Sequence, residues 1–304
     1  MAINLRTLPV VLASAAWVLV IQATVRPTTA AAQEATTTAA AGSATQPAGP
    51  QDSNNDPGGD FASPMRLFQL MTEYKTAPGN GAVKGTTREV TTDTAKLRFD
   101  YKINLAPEWE VALRADLPFR AKDPLNSSNP SGDYAYGVGD VDVQAALIRQ
   151  INSRWAAGFG ARLYAPTGDD VIGSGKWQIM PIVGARYDLP ELSKGSYFEP
   201  LLRYDQSFAG DPSKKSISNL QFAPSLNMGL PDRWFFTLYP SNDIRWNFGP
   251  PATGQTGRLF LPFDARIGRK LSNNMALSLE VGVPIIKEYP VYDFKTQVRL
   301  NINY

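Results

Sequence analysis

The sequence contains neither cysteine nor histidine. Without cysteine there are no disulfide scaffolds, thiolate metal sites or thiol nucleophiles. Without histidine there is no imidazole base, metal ligand or proton shuttle. Net charge is nearly lacking as well. The 30 Lys and Arg face 28 Asp and Glu, a balance that leaves no electrostatic footprint for nucleic acid. Beyond the N-terminal segment, no apolar run is long enough to cross a membrane as a helix. Turn formers and aromatics are plentiful instead: 24 Gly, 24 Pro, 12 Tyr and 6 Trp among 304 residues suit a chain of many strands and turns.

The N-terminus reads as an export signal over residues 1–32. "MAINLRTLPVVLASAAWVLVIQATV" carries Arg6, an apolar stretch from Leu8 to Ile21, and then small residues with an Ala30-x-Ala32 cleavage pattern. A retained membrane anchor is the alternative. The weakly apolar stretch Ala13–Ala16 and a total near the ~20-residue minimum for spanning weigh against it. Removal takes Arg6 and Arg26 away, so 30 − 2 = 28 basic residues meet 28 acidic ones and the formal net charge is zero. Residues 33–60, "QEATTTAAAGSATQPAGPQDSNNDPGGD", have almost no apolar content and no period, the composition of a disordered leader. The folded unit is expected over residues 61–304.

That unit alternates with a period of two. "KLRFDYKINL" sets Leu97, Phe99, Tyr101, Ile103 and Leu105 against Lys96, Arg98, Asp100, Lys102 and Asn104. "EVALRADLPF" sets Val111, Leu113, Ala115, Leu117 and Phe119 against Glu110, Arg114 and Asp116, and only "APEW" separates the two runs, as in a hairpin. The chain ends on "DFKTQVRLNINY", with Phe294, Val298, Leu300, Ile302 and Tyr304 on one face and Lys295, Gln297, Arg299 and Asn301 on the other. "FFTLYPSNDIRWNF" reads as one strand, with Phe236, Leu238, Ile244, Trp246 and Phe248 opposing Asp243, Arg245 and Asn247.

Twelve such strands can be counted, most of ten residues or more, long enough to cross a bilayer at a tilt of ~45°. An even number suits an all-β, antiparallel transmembrane barrel with both termini on one side. Long connections (76–92, 121–137, 166–176, 208–216, 248–258) alternate with generally shorter ones (106–109, 152–154, 188–196, 230–233, 272–274), the pattern of extracellular loops and periplasmic turns in a bacterial outer-membrane protein. Prolines inside the runs, at 118, 181, 224, 240, 262 and 284, remove ladder donors and predict bulges or bends.

Charges of both signs within one polar face favour a wet lumen, because an unpaired ion in a dry core costs several kcal/mol. The lumen candidates are Arg98, Asp100, Lys102, Arg114, Asp116, Asp140, Asp142, Arg162, Arg186, Glu199, Arg203, Asp205, Asp243, Arg245, Asp264, Arg266, Glu280 and Arg299. They serve either as an electrostatic filter or as a salt-bridge network that only holds the shape. Near-balance of signs argues against strong ion selectivity. Aromatics near strand ends, Trp109, Phe119, Trp155, Trp177, Tyr187, Trp246, Tyr292 and Tyr304, are candidates for interface girdles in contact with outer-membrane lipids. β-propensity alone also enriches aromatics in strands. In "YAPTGDDVIGSGKW", Asp169, Asp170 and Lys176 are candidates for a loop constriction, against the plainer reading of a structural turn; the Walker spacing is missing, so no nucleotide site is implied. Asp169 with Asp170 could hold calcium or divalent-bridged lipid headgroups, but one carboxylate pair is weak evidence, and no cofactor or catalytic group emerges.

The stretches "GVGDVDVQAAL" (137–147), "GFGARLYAPTG" (158–168), "IGSGKWQIMP" (172–181), "QSFAGD" (206–211), "LQFAPSLNMGLPDRWFFTLYP" (220–240) and "LFLPFDARIGR" (259–269) resemble an outer-membrane β-barrel family labelled transporter or phenol-degradation meta-pathway protein. The resemblance covers roughly residues 62 to 304. It implies a barrel of about twelve strands and passage of small, aromatic or hydrophobic solutes. Arg162 and Tyr164 stand where members are more apolar, and the Ala/Thr leader is unusually long. The flush aromatic at Tyr304 resembles the C-terminal signature read by the barrel assembly machinery. Two rivals stay open: a structural barrel with a plugged lumen, and an outer-membrane enzyme, which without histidine would need carboxylate-only chemistry. A soluble periplasmic β protein is the remaining alternative.

Overall fold

Strands with one apolar and one polar face can hide neither face alone. Pairing them edge to edge gathers all polar faces on one side, and closing the sheet leaves no free edge. The computed structural model does this. It describes residues 58–77, 90–123, 129, 131–252 and 254–304, so the expected signal and most of the leader lie outside the described residues. The segments are β1 (Leu67–Ala77), β2 (Val90–Ala106), β3 (Trp109–Lys122), β4 (Ala135–Val138), β5 (Asp142–Gln150), β6 (Trp155–Tyr164) and β7 (Lys176–Asp188). They continue as β8 (Tyr197–Gly210), β9 (Ser218–Gly229), β10 (Trp234–Leu238), β11 (Ile244–Asn247), β12 (Leu259–Lys270), β13 (Met275–Lys287) and β14 (Phe294–Asn303). Every pairing is antiparallel, and β1 pairs with β14 from Leu67↔Asn303 to Thr76↔Phe294, which closes the ring. The described residues contain no helix.

Two of the wall strands are interrupted. β4 and β5 both lie along β3, and β10 and β11 both lie between β9 and β12. Counting each broken pair as one strand reduces the fourteen segments to a twelve-stranded barrel. The expected twelve is therefore right, but "FFTLYPSNDIRWNF" is not one continuous strand. Pro240 cannot donate to a ladder, and Tyr239 before it takes φ +50°, so the chain leaves the wall at 239–243 and folds inward. Ile244, expected on the outer face, is buried as a result. A register shift between Leu261 and Pro262 marks a second of the expected prolines. β4 falls in a segment read as loop.

One end of the barrel has the connections 107–108, 151–154, 189–196, 230–233 and 271–274. At the other end β1 stops and β2 begins, β3 stops, β11 stops and β12 begins, and there lie the connections 165–175, 211–217 and 288–293. The first set is the periplasmic end and the second the extracellular end. Outward-pointing residues are large and apolar: Phe99, Ile103, Val143, Phe159, Val183, Leu202, Phe263, Ile267, Leu279 and Val281 are all exposed, while Arg98, Asp116, Asp142, Arg162, Glu199, Asp264, Arg266 and Glu280 are buried inside. In water this inversion would be unstable. Against lipid it is what the hydrophobic effect demands.

Before β1 begins, the chain runs through the lumen. Asp60, Phe61 and Ala62 are buried there, on the inner wall of β5 to β8. The last positions of the expected leader, 58–60, belong to this inward segment.

Candidate functional site

Register decides which charges meet. Arg98 lies directly across from Asp116 and Asp100 across from Arg114 on β2 and β3. Each arginine forks onto its carboxylate, at 2.6 and 2.7 Å for Arg98 and at 2.7 Å twice for Arg114. Such bidentate pairs are among the stronger hydrogen bonds available to side chains. Lys96 adds a contact to Asp116 at 3.1 Å. On the next strands, Arg162 donates to its cross-strand partner Gln144 at 2.8 and 3.1 Å and sits 3.4 Å from Asp142. Lys102 pairs with Glu110 at the periplasmic end, at 2.5 Å.

A second cluster holds the inward bulge. The Lys295 ammonium donates to Asp243 at 2.5 Å, Asp264 at 2.8 Å and Glu280 at 2.5 Å. These three carboxylates lie within 4.8 Å of one another, a spacing that suits a metal ion, and the ammonium takes the cation's place. Arg266 and Arg299 also donate to Glu280, at 2.5 and 3.1 Å. The bulge itself is pinned through Ser225 to the Tyr239 carbonyl at 2.6 Å, Ser241 to Glu280 at 2.7 Å and Asn242 to the Leu201 carbonyl at 3.3 Å.

A third feature is the plug. The Phe61 N–H donates to both Glu199 oxygens, at 3.0 and 2.8 Å, and the Ala62 N–H donates to one of them at 3.1 Å. Asp60 pairs with Arg186, and Gln150 donates to the Ala62 carbonyl at 3.1 Å. The Phe61 ring sits in a pocket of small and aliphatic residues, Ala146, Ile148, Ala156, Ile182 and Leu201. Gly158 and Gly184 complete it: a Cβ on either would stand 3.1 or 3.0 Å from the ring. Burying a phenylalanine in this way is worth about 1.5–3 kcal/mol.

Between plug, bulge and wall lies a cavity of about 480 Å³, lined among others by Arg98, Arg114, Arg162, Tyr164, Arg203, Asp205, Gln221, Asp243, Arg245 and Arg299. Asp140 also lines it. Of the other lumen candidates, Asp116, Asp264, Arg266 and Glu280 are buried in the ion clusters, and Arg186 is buried against the plug. Asp169, Asp170 and Lys176 do not line the cavity; the two aspartates are exposed on the 165–175 loop and Lys176 opens β7.

That loop explains why three short motifs occur together. The Asp140 carboxylate of "GVGD" accepts the N–H of Gly168 in "PTG" at 3.1 Å and of Ser174 in "GSGKW" at 2.7 Å. Thr167 accepts the Val141 N–H at 2.9 Å. Gly168 and Gly173 touch so closely that a Cβ on the first would stand 2.7 Å from the Cα of the second. The break between β4 and β5 is thus the seat of the loop. Asp140→Ala leaves two N–H groups without their acceptor and is expected to cost about 1–3 kcal/mol locally. Protease cleavage in the 165–175 loop of the folded barrel should then accelerate; cleavage at the wild-type rate would show that Asp140 does not hold it.

Trp155 packs against Tyr187, the rings tilted by 37° with centroids 4.7 Å apart, at the periplasmic end, where Trp109 and Tyr304 also lie, while Phe119, Trp177 and Trp246 fall toward the extracellular end. Tyr292 departs from the expected girdle. It is fully buried in the lumen, with its hydroxyl donating to Asp243 at 3.3 Å and its ring 4.8 Å from Phe260. Sequence reasoning also passed over Lys295, Lys96, Glu73 (on β1, accepting from Gln297 at 3.0 Å and paired with Lys75 at 2.9 Å) and Phe61. The first three stand on polar rows already visible in the sequence, but the isolated Phe61 offers no such signal.

A protein-family profile described as "Putative MetA-pathway of phenol degradation" matches residues 52–239. A search of curated protein sequences gives no match. Among solved structures, an outer membrane channel from Pseudomonas putida F1 is similar in fold, with a TM-score of 0.61 at 17% identity, covering 82% of this chain and 99% of that one. The NanC porin gives a TM-score of 0.48 at 10% identity over 78% of this chain and 98% of its own.

Proposed function

From the premise that this chain belongs to the family described as "Putative MetA-pathway of phenol degradation", we propose that its barrel passes small, single-ring solutes through the lumen across the outer membrane. The observation that carries this reading is the cavity of about 480 Å³ bounded by Phe61, the 239–243 bulge and the charged wall. Ligand sites for small molecules start at about 300 Å³, so the space fits one ring with its polar substituents. The charged and amide side chains around it favour rings that carry hydroxyl or carboxyl groups over bare hydrocarbons. The charges of the wall are largely engaged with one another, which supports weak selectivity between simple ions.

The plug favours a second reading, a closed barrel that only shapes the membrane. Planar-bilayer recording of the refolded barrel separates the two. The transport reading expects small discrete openings whose amplitude or lifetime changes when phenol or benzoate is added. A correctly inserted barrel that stays silent, and proteoliposomes that take up no labelled ring compound, would sink it in favour of the closed barrel.

A further inference from the structure

Around the cavity, lysine and arginine side chains are generally matched. Lys96 and Arg98 pair with Asp116 at 3.1 and 2.6 Å, Arg114 with Asp100 at 2.7 Å, Arg162 with Asp142 at 3.4 Å and Arg245 with Asp243 at 3.0 Å. Arg203, among them on β8, has no such partner. Its guanidinium makes no ion pair and no side-chain hydrogen bond among the described residues, and its Nε is buried without an acceptor. The two carboxylates on its own inward row do not relieve it. Glu199 is committed to the Phe61 and Ala62 N–H groups. Asp205 forms no ion pair with it and keeps a buried oxygen of its own unpartnered. Burial and the nearby Arg162, Arg114 and Arg98 all work against the charge of Arg203, and Glu199 attracts it from the same row without pairing with it. An anion entering here meets one guanidinium that no carboxylate matches, and it displaces no existing partner of Arg203.

We propose that Arg203, opening on the cavity beside Tyr164 and Gln221, is a binding station for a small carboxylate, and that a single-ring aromatic acid fits it best. The planar guanidinium fork matches a carboxylate in two hydrogen bonds and can also stack on a ring. The space around it holds one ring. This inference rests on reading the lumen as a solute path, and it names the class of solute that path retains.

The test is calorimetric titration of the refolded full-length barrel in a zwitterionic detergent, with benzoate, acetate, chloride and benzyl alcohol as probes. Binding requires no flux, so this result is independent of whether the barrel conducts. Benzoate is expected to saturate, and benzyl alcohol, of the same size but neutral, to bind at least about tenfold more weakly, the difference one charged hydrogen-bonded contact makes. Arg203→Gln should reduce benzoate affinity by a similar factor and leave benzyl alcohol unchanged. Arg203→Lys, which keeps the charge and loses the fork, should lie between, and it decides the matter if Arg203→Gln does not refold. Undetectable benzoate binding to the wild-type barrel overturns the proposal. So does an Arg203→Gln barrel that binds as the wild type does, which would mean that a water bridge to Asp205 already satisfies the arginine. Chloride that competes with benzoate on equal terms overturns it too, leaving an inorganic anion site only. Benzoate bound at Arg203 in a barrel that shows no flux would keep the site and sink the transport reading.

Discussion

Lys295→Met should destabilise the barrel by about 3–5 kcal/mol, the range for removing one partner of a buried ion pair. The reason lies with Asp264. It is 0% exposed, Lys295 is the one cation paired with it among the described residues, and its second oxygen is already buried without a partner. Glu280 keeps Arg266 and Arg299, and Asp243 keeps Arg245. The loss therefore concentrates on one carboxylate, and a second change should relieve it: Lys295→Met/Asp264→Asn is expected to recover most of the stability. Urea titration in detergent, followed by tryptophan fluorescence and by the gel shift between folded and heated barrel, reads both variants. A single variant that unfolds at the wild-type midpoint would show that the cluster is solvated and carries little energy. A double variant no better than the single one would place the loss elsewhere, in the anchoring of the 239–243 bulge.

The largest functional change is expected from the plug. Phe61→Ala removes most of the ring's ~1.5–3 kcal/mol of burial, which shifts the balance between docked and released segment about 10- to 100-fold. Glu199→Gln weakens the same balance by exchanging a charged acceptor of the Phe61 and Ala62 N–H groups for a neutral one. Deleting residues 58–62 removes the obstruction outright. All three should raise unitary conductance or open probability, with the deletion largest. Because Gly158 and Gly184 form the seat, Gly184→Val should act like Phe61→Ala although it lies on the wall: even its Cβ would stand 2.6 Å from Leu201 and 3.0 Å from the ring. Unchanged conductance in the deletion variant would show that the constriction lies elsewhere, with the bulge as the next candidate.

The barrel was legible because its signal is repeated. Each strand states the same alternation, and an error in one, such as the merged run around Pro240, leaves the strand count and the closure intact. The inward face was legible for the same reason, down to cross-strand partners such as Arg98 and Asp116. The plug was not. Phe61 carries no period, and its meaning depends on two glycines and a glutamate about a hundred or more positions away. Lys295 stood in plain sight on a polar row, but its three carboxylates come from the 239–243 bulge, β12 and β13, and only the closed barrel brings them together. Tyr292 shows the limit of reasoning from position. An aromatic next to a strand end looks like a girdle residue, and only the Asp243 carboxylate waiting inside reveals the other outcome.

The closing seam has a consequence for the order of assembly. Gln69 donates its amide to Asn301 at 2.6 Å across 232 positions of sequence, and no shorter-range contact can stand in for the pairing of β1 with β14. Contacts of such separation form late, since the loop entropy they cost is recovered only when the intervening chain is in place. Residues 58–62, by contrast, dock on β5 to β8, which zip up through neighbouring hairpins. A half-built sheet therefore already offers Phe61 its seat. A segment that docked there early would hold the first strand near the growing wall and shorten the search of the last strand, an order that stopped-flow refolding of the 58–62 deletion reads as a slower final phase. In that light it is a mandrel around which the cylinder is rolled, and barrels lacking it should refold more slowly even where their finished stability is unchanged.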